Sequence, residues 1–288
     1  MHQVATDALI LHAFDYRESS RIVRLATRDL GIVSVIARGA RSPKSRMGSS
    51  LDLFTSGVAH VRVHPSRDLH TLAGFDGTRG RPELAASLAR FRAASALAEL
   101  CLRFGREDDG GLVHAAATHA LDAIGAAGVV GRSALGAAGD VAVATVALAG
   151  AWRLVAEIGF SPALAQCAMC HAPLDAGASV TFVHRVGGAL CPSCARSSRG
   201  GRTLPADARA TLTAWLDGDT RPLEGAGAVR AHQRLLREFI EEHVGDGRPL
   251  RAFLAWEEAG DSSAPRAPAS DAPASDVPPT RAPAAADP

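Results

Sequence analysis

Two cysteine pairs, each with two residues between its members, mark the middle of the chain: Cys167-Ala-Met-Cys170 and Cys191-Pro-Ser-Cys194. A two-residue gap lets both thiolates of a pair turn toward one ion, and the residues between the pairs are enough for a hairpin that returns the second pair to the first. Four thiolates complete the tetrahedral shell of Zn²⁺, so the ion would hold structure and leave no position for a substrate water. The sequence therefore predicts a zinc knuckle at residues 167–194 with a structural Zn²⁺ on Cys167, Cys170, Cys191 and Cys194.

Two alternatives to this site stay open. His171 and His184 lie within the knuckle and either could replace a thiolate, although four cysteines already close the shell. Two disulfides would instead need an oxidising compartment. The start of the chain has no basic lead or apolar stretch typical of a signal peptide, and the most apolar run, 141–152, is too short to span a bilayer. We therefore expect a cytoplasmic protein without a membrane segment, where reducing conditions favour metal.

The first part of the chain is basic and has the pattern of a small barrel. Residues 1–81 contain twelve Arg or Lys against seven acids, whereas the remainder is net acidic. Short strand signals with close turns run from residue 8 to residue 76, and in one of them Ala59, Val61 and Val63 alternate with His60 and Arg62. Five strands in so short a segment predict an oligonucleotide/oligosaccharide-binding (OB) barrel.

The loop after the third predicted strand is Arg38-Gly-Ala-Arg-Ser-Pro-Lys-Ser-Arg46, with four positive charges and no acid. Small residues between the charges let backbone amides and guanidinium groups approach phosphate oxygens together. A merely solvated loop is the alternative. Phe14 and Tyr16, on one side of the first strand, either stack on bases or belong to the core. The residues predicted to contact DNA are Arg38, Arg41, Lys44 and Arg46, with Arg17, Arg21 and Arg62 as outer contacts.

Beyond Pro82 the apolar period becomes helical. Helices are predicted at about 83–104, 111–124, 140–158, 206–216, 228–244 and 250–256. Cys101 lies on an apolar stripe and is expected in the core, while His232 and His243 are too far apart to share an ion and are expected to be buried or at an edge. The predicted class is α+β, with a barrel at 1–81, a helical domain carrying the knuckle at 82–258, and a disordered Pro/Ala-rich tail at 259–288.

Several short motifs resemble the bacterial RecO family of recombination mediators over residues 8 to about 256. They are Tyr16-Arg-Glu-Ser-Ser20 followed by Thr27 and Gly31, Ala37-Arg-Gly-Ala-Arg41 with Ser45, Leu51 and Phe54, Gly159-Phe-Ser-Pro162, and Phe239 with His243. The resemblance implies an OB barrel, a helical domain with a zinc element, binding of single- and double-stranded DNA, and annealing of complementary strands. It also implies partnership with RecR and with the C-terminal tail of single-strand-binding protein, so that RecA loads at gaps. The long tail departs from the family pattern.

Two other functions compete with this interpretation. An enzyme acting on nucleic acid would need clustered carboxylates for Mg²⁺, a P-loop, or a nucleophile with its base. The acidic pair Asp108-Asp109 has the sequence context of a solvated loop. A zinc-bearing transcriptional or translational adaptor would read duplex DNA with a recognition helix, whereas an OB barrel accepts single strands. The sequence favours a mediator that is not an enzyme.

Overall fold

The computed structural model describes residues 2–42, 45, 47–106, 111–128, 136–244 and 247–259. A closed β-barrel comes first, and a helical bundle with an inserted three-stranded sheet follows it. This architecture confirms the predicted α+β class with an OB barrel and a cysteine-bearing insert. The tail predicted to be disordered lies outside the described residues from position 260 onward.

The barrel contains all five strands that the sequence predicts, and the structure extends them at their ends. The strands are β1 (His2–Tyr16), β2 (Ser20–Thr27), β3 (Gly31–Ala37), β4 (Ser56–Val63) and β5 (Leu69–Arg79). Their order around the barrel is β1-β2-β3-β5-β4, and only the β3–β5 pairing is parallel. β1 closes the ring because its first half pairs with β4 and its second half pairs with β2.

The interior of the barrel follows the alternation seen in the sequence. Ala59 and Val61 are completely buried, while His60 and Arg62 point outward from the same strand. Strands β4 and β5 cross so closely that a side chain on Gly57 would lie 2.4 Å from the carbonyl oxygen of Asp76. The apolar core so enclosed contains Ala8, Ile10, Val23, Leu25, Val33, Val35, Leu72 and Phe75.

The helical part differs from the prediction mainly at its start. The single helix predicted at 83–104 is two helices, because the Ser87 side chain accepts a hydrogen bond from the backbone N–H of Arg90 and caps a new helix. Leu88 and Phe91, which belong in the sequence to the same apolar stripe as Cys101 and are therefore expected in the core, are 62% and 39% exposed. The helices are α1 (Pro82–Ala85), α2 (Leu88–Phe104), α3 (Leu112–Ala126), α4 (Ala137–Glu157), α5 (Pro192–Ser197), α6 (Ala206–Leu216), α7 (Gly225–Val244) and α8 (Arg251–Ala259).

Helix α4 lies at the centre of the bundle, in contact with α2, α3, α6 and α7. Its 21 residues and mean hydropathy of 1.4 would suffice to cross a membrane, so the apolar run judged too short from the sequence is part of a longer helix. More than half of its apolar stretch is buried inside the protein, as in the core helix of a bundle. Trp152 of α4 is completely buried and packs against Phe239 of α7, with ring centroids 5.2 Å apart.

Two expectations about single residues in the bundle are confirmed. Cys101 is buried in the core, as its position on the apolar stripe predicted. His232 is also buried, with its ring 4.8 Å from that of Trp215, and the ring of His243 packs 4.3 Å from Phe239.

The barrel and the bundle share part of one core. Phe54 and Ile32 of the barrel belong to the same buried cluster as α2, α3 and α4. Arg81 lies at this junction with a fully buried side chain, which donates hydrogen bonds to the Phe54 carbonyl at 2.6 Å and to Asp122 of α3 at 2.7 Å. The domain boundary at residue 81 stays a prediction. A barrel cut at that residue would expose the apolar contact that Phe54 and Ile32 make with the bundle.

Candidate metal centre and nucleic-acid surface

The first cysteine pair lies in a tight turn that directs both thiols to one side. The backbone N–H of His171 donates to the carbonyl of Cys167 at 2.9 Å, and His171 has a φ of 59°, which turns the chain back sharply. The N–H of Ala168 donates to the carbonyl of Ala189 at 2.9 Å. This bond ties the first pair to the strand that leads into the second pair.

The second pair is positioned by a hairpin and a short helix. The inserted sheet has the order β7-β6-β8, with strands β6 (Val180–Val183), β7 (Gly188–Leu190) and β8 (Arg202–Leu204). β7 ends at Leu190, and the sulfur of the next residue, Cys191, caps α5 by accepting a hydrogen bond from the N–H of Cys194 at 3.5 Å. The hairpin predicted between the two pairs is therefore present.

The four sulfur atoms form a compact group. The Sγ atoms of Cys167, Cys170, Cys191 and Cys194 all lie within 4.8 Å of one another, and those of Cys170 and Cys191 are 3.7 Å apart. A tetrahedral Zn²⁺ with Zn–S bonds of about 2.3 Å needs sulfur–sulfur separations of about 3.8 Å. The four thiols can therefore hold a metal ion, and their spacing and donor type fit zinc.

The thiols affect one another's ionisation. Burial opposes ionisation of Cys167, but the N–H groups of neighbouring residues, among them Cys170, lower its pKa to about 6. The Cys194 N–H lowers the pKa of Cys191, whereas the thiols of Cys191 and Cys170 raise the pKa of Cys194 to about 12. Four thiolates so close together need a cation, and a divalent metal would supply it.

Neither histidine of the knuckle belongs to this sulfur group. His171 is exposed, while the ring of His184 packs against Phe182 and its Nε2 lies 3.6 Å from a carboxylate oxygen of Glu238 on α7. Burial lowers the pKa of His184, although Glu238 opposes that shift. Arg202 of β8 binds the same carboxylate at 2.5 Å, so these two side chains dock the knuckle onto α7.

On the barrel, two of the predicted DNA contacts are partly engaged within the protein. The Nε atoms of Arg21 and Arg41 lie 3.1 Å and 3.3 Å from the two carboxylate oxygens of Asp15. Arg41 also donates to the carbonyl of Glu18 at 3.3 Å, in the turn between β1 and β2. Its charge is therefore partly balanced, and it holds the loop after β3 against that turn.

Three further predicted contacts are exposed on the barrel surface. Arg17 follows β1 with a φ of 55° and lies 5.3 Å from the centroid of the Tyr16 ring. Arg38 and Arg62 make no ion pair with any residue that the structure describes. Thr71 of β5 pairs with Ile36 on one side and with Arg62 on the other, so Arg38, two residues after Ile36, lies close to Arg62, and the two form an arginine rim on the outer face of the barrel. The other two predicted contacts, Lys44 and Arg46, lie outside the described residues.

Comparison with known proteins identifies the family. The family model described as Recombination protein O N terminal matches residues 1–81, and the one described as Recombination protein O C terminal matches residues 133–252. The DNA repair protein RecO of Anaeromyxobacter dehalogenans (strain 2CP-C) is 36% identical over 264 residues, which cover 88% of this chain and 96% of that protein. The protein of the same name from Gloeobacter violaceus is 30% identical, over 83% of this chain and 87% of its own. The chain belongs to the recombination protein O family.

Membership of the recombination protein O family supports a role in DNA repair and recombination, and with it DNA binding. The N-terminal family match coincides with the barrel and its arginine-bearing rim, and the C-terminal match includes all four cysteines. The resemblance noted in the sequence motifs is thereby confirmed.

Sequence reasoning missed part of the barrel rim of this family member. The loop from β4 to β5 brings His64 and Arg67 next to Arg38, and burial together with the charges of Arg67, His70 and Arg38 lowers the pKa of His64. The His64 N–H donates to Nδ1 of His70 at 3.3 Å, which fixes the loop. The sequence carries only a weak signal of this proximity. Arg38 and Arg67 are about thirty residues apart in sequence, and the parallel pairing of β3 with β5 is what brings their segments together.

The exposed aromatic residue of the barrel is Phe14, with 43% of its surface accessible. It lies directly opposite Ile22 on β2, which in turn lies opposite Ile36 on β3. This outward row ends at Thr71, beside Arg62, and the His12 ring lies 5.6 Å from Phe14. The alternative that Phe14 belongs to the core is thus wrong, and an apolar strip leads across the barrel to the rim arginines.

Proposed function

We propose that this protein is a recombination mediator that binds single- and double-stranded DNA through its barrel, anneals complementary single strands, and helps RecA load onto gaps coated by single-strand-binding protein in the RecFOR pathway. The observation that carries the proposal is the proximity of Arg38 and Arg62 on the outer face of the barrel, with Arg67 in the adjoining loop between β4 and β5, in a chain of this family. OB barrels bind oligonucleotides across such strands and loops.

Annealing by this surface needs no catalytic step. Guanidinium groups neutralise phosphates, so two strands approach without mutual repulsion and then pair by themselves. Arg38 and Arg62 are the main contacts in this account, with Arg17 and Arg21 beside them, and Arg41 chiefly positions the loop that carries Lys44 and Arg46. We infer that the protein is not an enzyme.

We infer that the ion held by the four thiols is a structural Zn²⁺. Four thiolate donors are the preferred set for zinc in closed sites, and a closed shell leaves no place for substrate. The knuckle would be ordered by the metal and docked to α7 through Arg202 and His184. Thiolates of this kind persist in the cytoplasm, where we place the protein.

We propose that the helical domain receives protein partners: RecR, and the acidic C-terminal tail of single-strand-binding protein, with RecA reached indirectly. The sequence does not choose among four candidate arginines for binding this acidic tail, namely Arg90, Arg103, Arg153 and Arg230. Arg90 donates to the Ala127 carbonyl at 2.6 Å and Arg103 donates to the Pro249 carbonyl at 3.2 Å, so both are engaged within the bundle. A cleft of about 600 Å³ between β8, α6 and α7 offers apolar surface, including Leu223 and Leu235, beside charged residues of both signs, namely Arg202, Arg221, Asp207 and Glu224.

A strand-annealing assay with full-length protein and no nucleotide tests the proposal. Parent protein should accelerate pairing of complementary oligonucleotides, also when they are coated with single-strand-binding protein. Arg38→Glu combined with Arg62→Glu should lose most of this acceleration, because two cationic phosphate contacts become repulsive. A matched control, Arg234→Glu with Arg251→Glu, changes net charge equally at exposed positions of the helical domain outside the cleft. Equal annealing by the rim variant and the control would refute the proposed site.

A further inference from the structure

The knuckle with its flanking residues, 163–204 in all, exposes three arginines that take no part in the metal site. Arg185, Arg196 and Arg199 are exposed, and none makes an ion pair or a side-chain hydrogen bond within the part of the chain that the structure describes. Arg202, a few residues further on, differs because Glu238 holds it. Three unbalanced cations therefore remain on a unit of some forty residues.

The topology of the knuckle gathers these arginines at one end. β6 and β8 are antiparallel, with Phe182 opposite Arg202, and Gly201 follows so closely that a side chain there would lie 2.8 Å from a methyl group of Val183. Arg199, two residues before Gly201, and Arg185, in the single turn of 3-10 helix after Val183, therefore both lie near the same end of β6. Arg196 lies in the last turn of α5, three residues before Arg199. All three arginines are thus close in the chain to the segments that meet at this end of the inserted sheet.

No acidic side chain of the knuckle balances this charge. Asp175 is the only acid in residues 163–204, all of which the structure describes, and its carboxylate accepts a hydrogen bond from the N–H of Gly177 in a different loop. The residues between the arginines are small, namely Ser197, Ser198, Gly200 and Gly201. Backbone amides and guanidinium groups can therefore approach an anion together.

We propose that this end of the knuckle is a second DNA-binding surface, which contacts the phosphates of a DNA segment other than the one on the barrel. The inference rests on the proposed function of the barrel. An acidic protein segment is the competing partner, but the exposed large apolar residues of the described chain include none between positions 182 and 202 to anchor a peptide. Phosphate backbone needs only spaced cations.

Two surfaces on one chain would change how annealing works. The barrel packs against α2 and α3, whereas the knuckle packs against α7, so different elements of the bundle carry them. A strand held on each surface experiences a high effective concentration of the other strand, which raises the encounter rate without any new contact between the strands. The knuckle would then have two roles, with thiols holding its fold and arginines holding DNA.

The experiment measures co-capture of two non-complementary oligonucleotides by zinc-loaded full-length protein. One strand is immobilised and saturated with protein, and the second, fluorescent strand is then added over a range of salt concentrations. Arg185→Glu with Arg199→Glu should retain binding of the first strand and lose most capture of the second. The salt slope for the second strand should fall by about 1.4, because each lost contact on a single strand removes about 0.7. Arg234→Glu with Arg251→Glu is again the control of equal charge.

The two double variants together distinguish the barrel surface from the knuckle surface. Unchanged second-strand capture in the knuckle variant, with loss of first-strand binding in Arg38→Glu/Arg62→Glu, would overturn the second surface and leave the proposed function standing. Loss of neither would overturn both. Zinc content is measured in every variant, and Arg185→Gln with Arg199→Gln, which removes charge without reversing it, should show a smaller loss in the same direction. If the knuckle variant loses only binding of an aspartate-rich peptide, the partner is an acidic protein and the inference is wrong.

Discussion

The barrel and the knuckle are both small β-structures attached to one helical bundle, but different forces hold them. The barrel encloses a continuous apolar core, including Leu25, Val35 and Phe75. The buried cluster of the knuckle consists of Cys167, Val183 and Leu190, and the remaining cysteines pack around it partly exposed. Phe182, Ala189 and Leu204 of the same segment are buried in the core of the bundle, so little apolar surface is buried around the thiols themselves to offset the entropy of ordering that part of the chain. The difference teaches that a metal is needed where apolar burial is insufficient, while the barrel needs none.

Removal of the metal should produce the largest difference in stability between the knuckle and the barrel. Stripping the ion with a chelator, or replacing Cys170 by Ser, should abolish amide-exchange protection in residues 163–204 while strands β1 to β5 keep theirs. Structural zinc supplies on the order of 10 kcal/mol to small metal-dependent folds, far more than the apolar contacts of the knuckle. Hydrogen exchange with metal analysis measures both effects.

Cys101→Ala is the matched control for that experiment. It removes a buried thiol that lies outside the sulfur group, so it should leave metal content and knuckle protection unchanged. If chelation removes amide-exchange protection equally from the barrel and the knuckle, the two units do not differ in their dependence on the metal.

The junction between barrel and bundle offers the next largest effect. Arg81→Ala removes a fully buried guanidinium from Asp122 and from the Phe54 carbonyl, and should lower the free energy of unfolding by about 3–5 kcal/mol. Arg79 contacts the same Asp122 at 3.2 Å but is more than half exposed, so Arg79→Ala should cost at most about 1 kcal/mol. Denaturant unfolding of both variants compares them, and similar losses would mean that burial is not what distinguishes the two residues.

The sequence foretold the barrel and the sulfur site because both depend on local spacing. Alternation in β4 placed Ala59 and Val61 inside, and two C-x-x-C pairs brought four thiols together. The start of the bundle was missed because Ser87 caps a new helix in the middle of a continuous helical pattern, which exposes Leu88. Capping there depends on one side-chain hydrogen bond, which residue period alone does not reveal.

Acidification should weaken the bundle that carries the knuckle. Burial lowers the pKa of His232 to about 4, although Asp207 opposes this shift, whereas an unfolded histidine titrates near 6.5. The unfolded chain therefore binds the proton more readily, so the contribution of His232 to stability is complete above pH 6.5 and is lost as the pH falls toward 4. The loss should reach about 3 kcal/mol. Unfolding of parent and His232→Phe from pH 7.5 to 4.5 measures it, and parallel curves would contradict the assignment.

The smallest expected effect concerns the apolar strip of the barrel. Phe14→Ala should weaken binding of single-stranded DNA by about 1–3 kcal/mol, because a base stacked on the ring loses its contact, and should change duplex binding less. Phe91→Ala is the control, since Phe91 is similarly exposed on α2. If both variants bind single strands equally well, the strip does not face the DNA.

The candidate DNA surface was only partly predictable, because its members come together through the tertiary fold. The charge of the segment 38–46 was visible in the sequence, but the engagement of Arg41 and Arg21 by Asp15 was not. Arg67 joined the rim through the parallel pairing of β3 with β5, which no local pattern encodes. Long-range pairing therefore decides which cations are available to phosphate.

The salt dependence of single-strand binding tests the central claim most directly, namely that the arginines of the barrel rim contact phosphates. With zinc-loaded full-length protein, the slope of log affinity against log salt should fall by about 1.4 in Arg38→Glu/Arg62→Glu, irrespective of base sequence, with zinc content and unfolding temperature unchanged. Arg234→Glu/Arg251→Glu should keep the parent slope. A rim variant that folds normally and retains the parent slope would show that DNA does not bind at the rim.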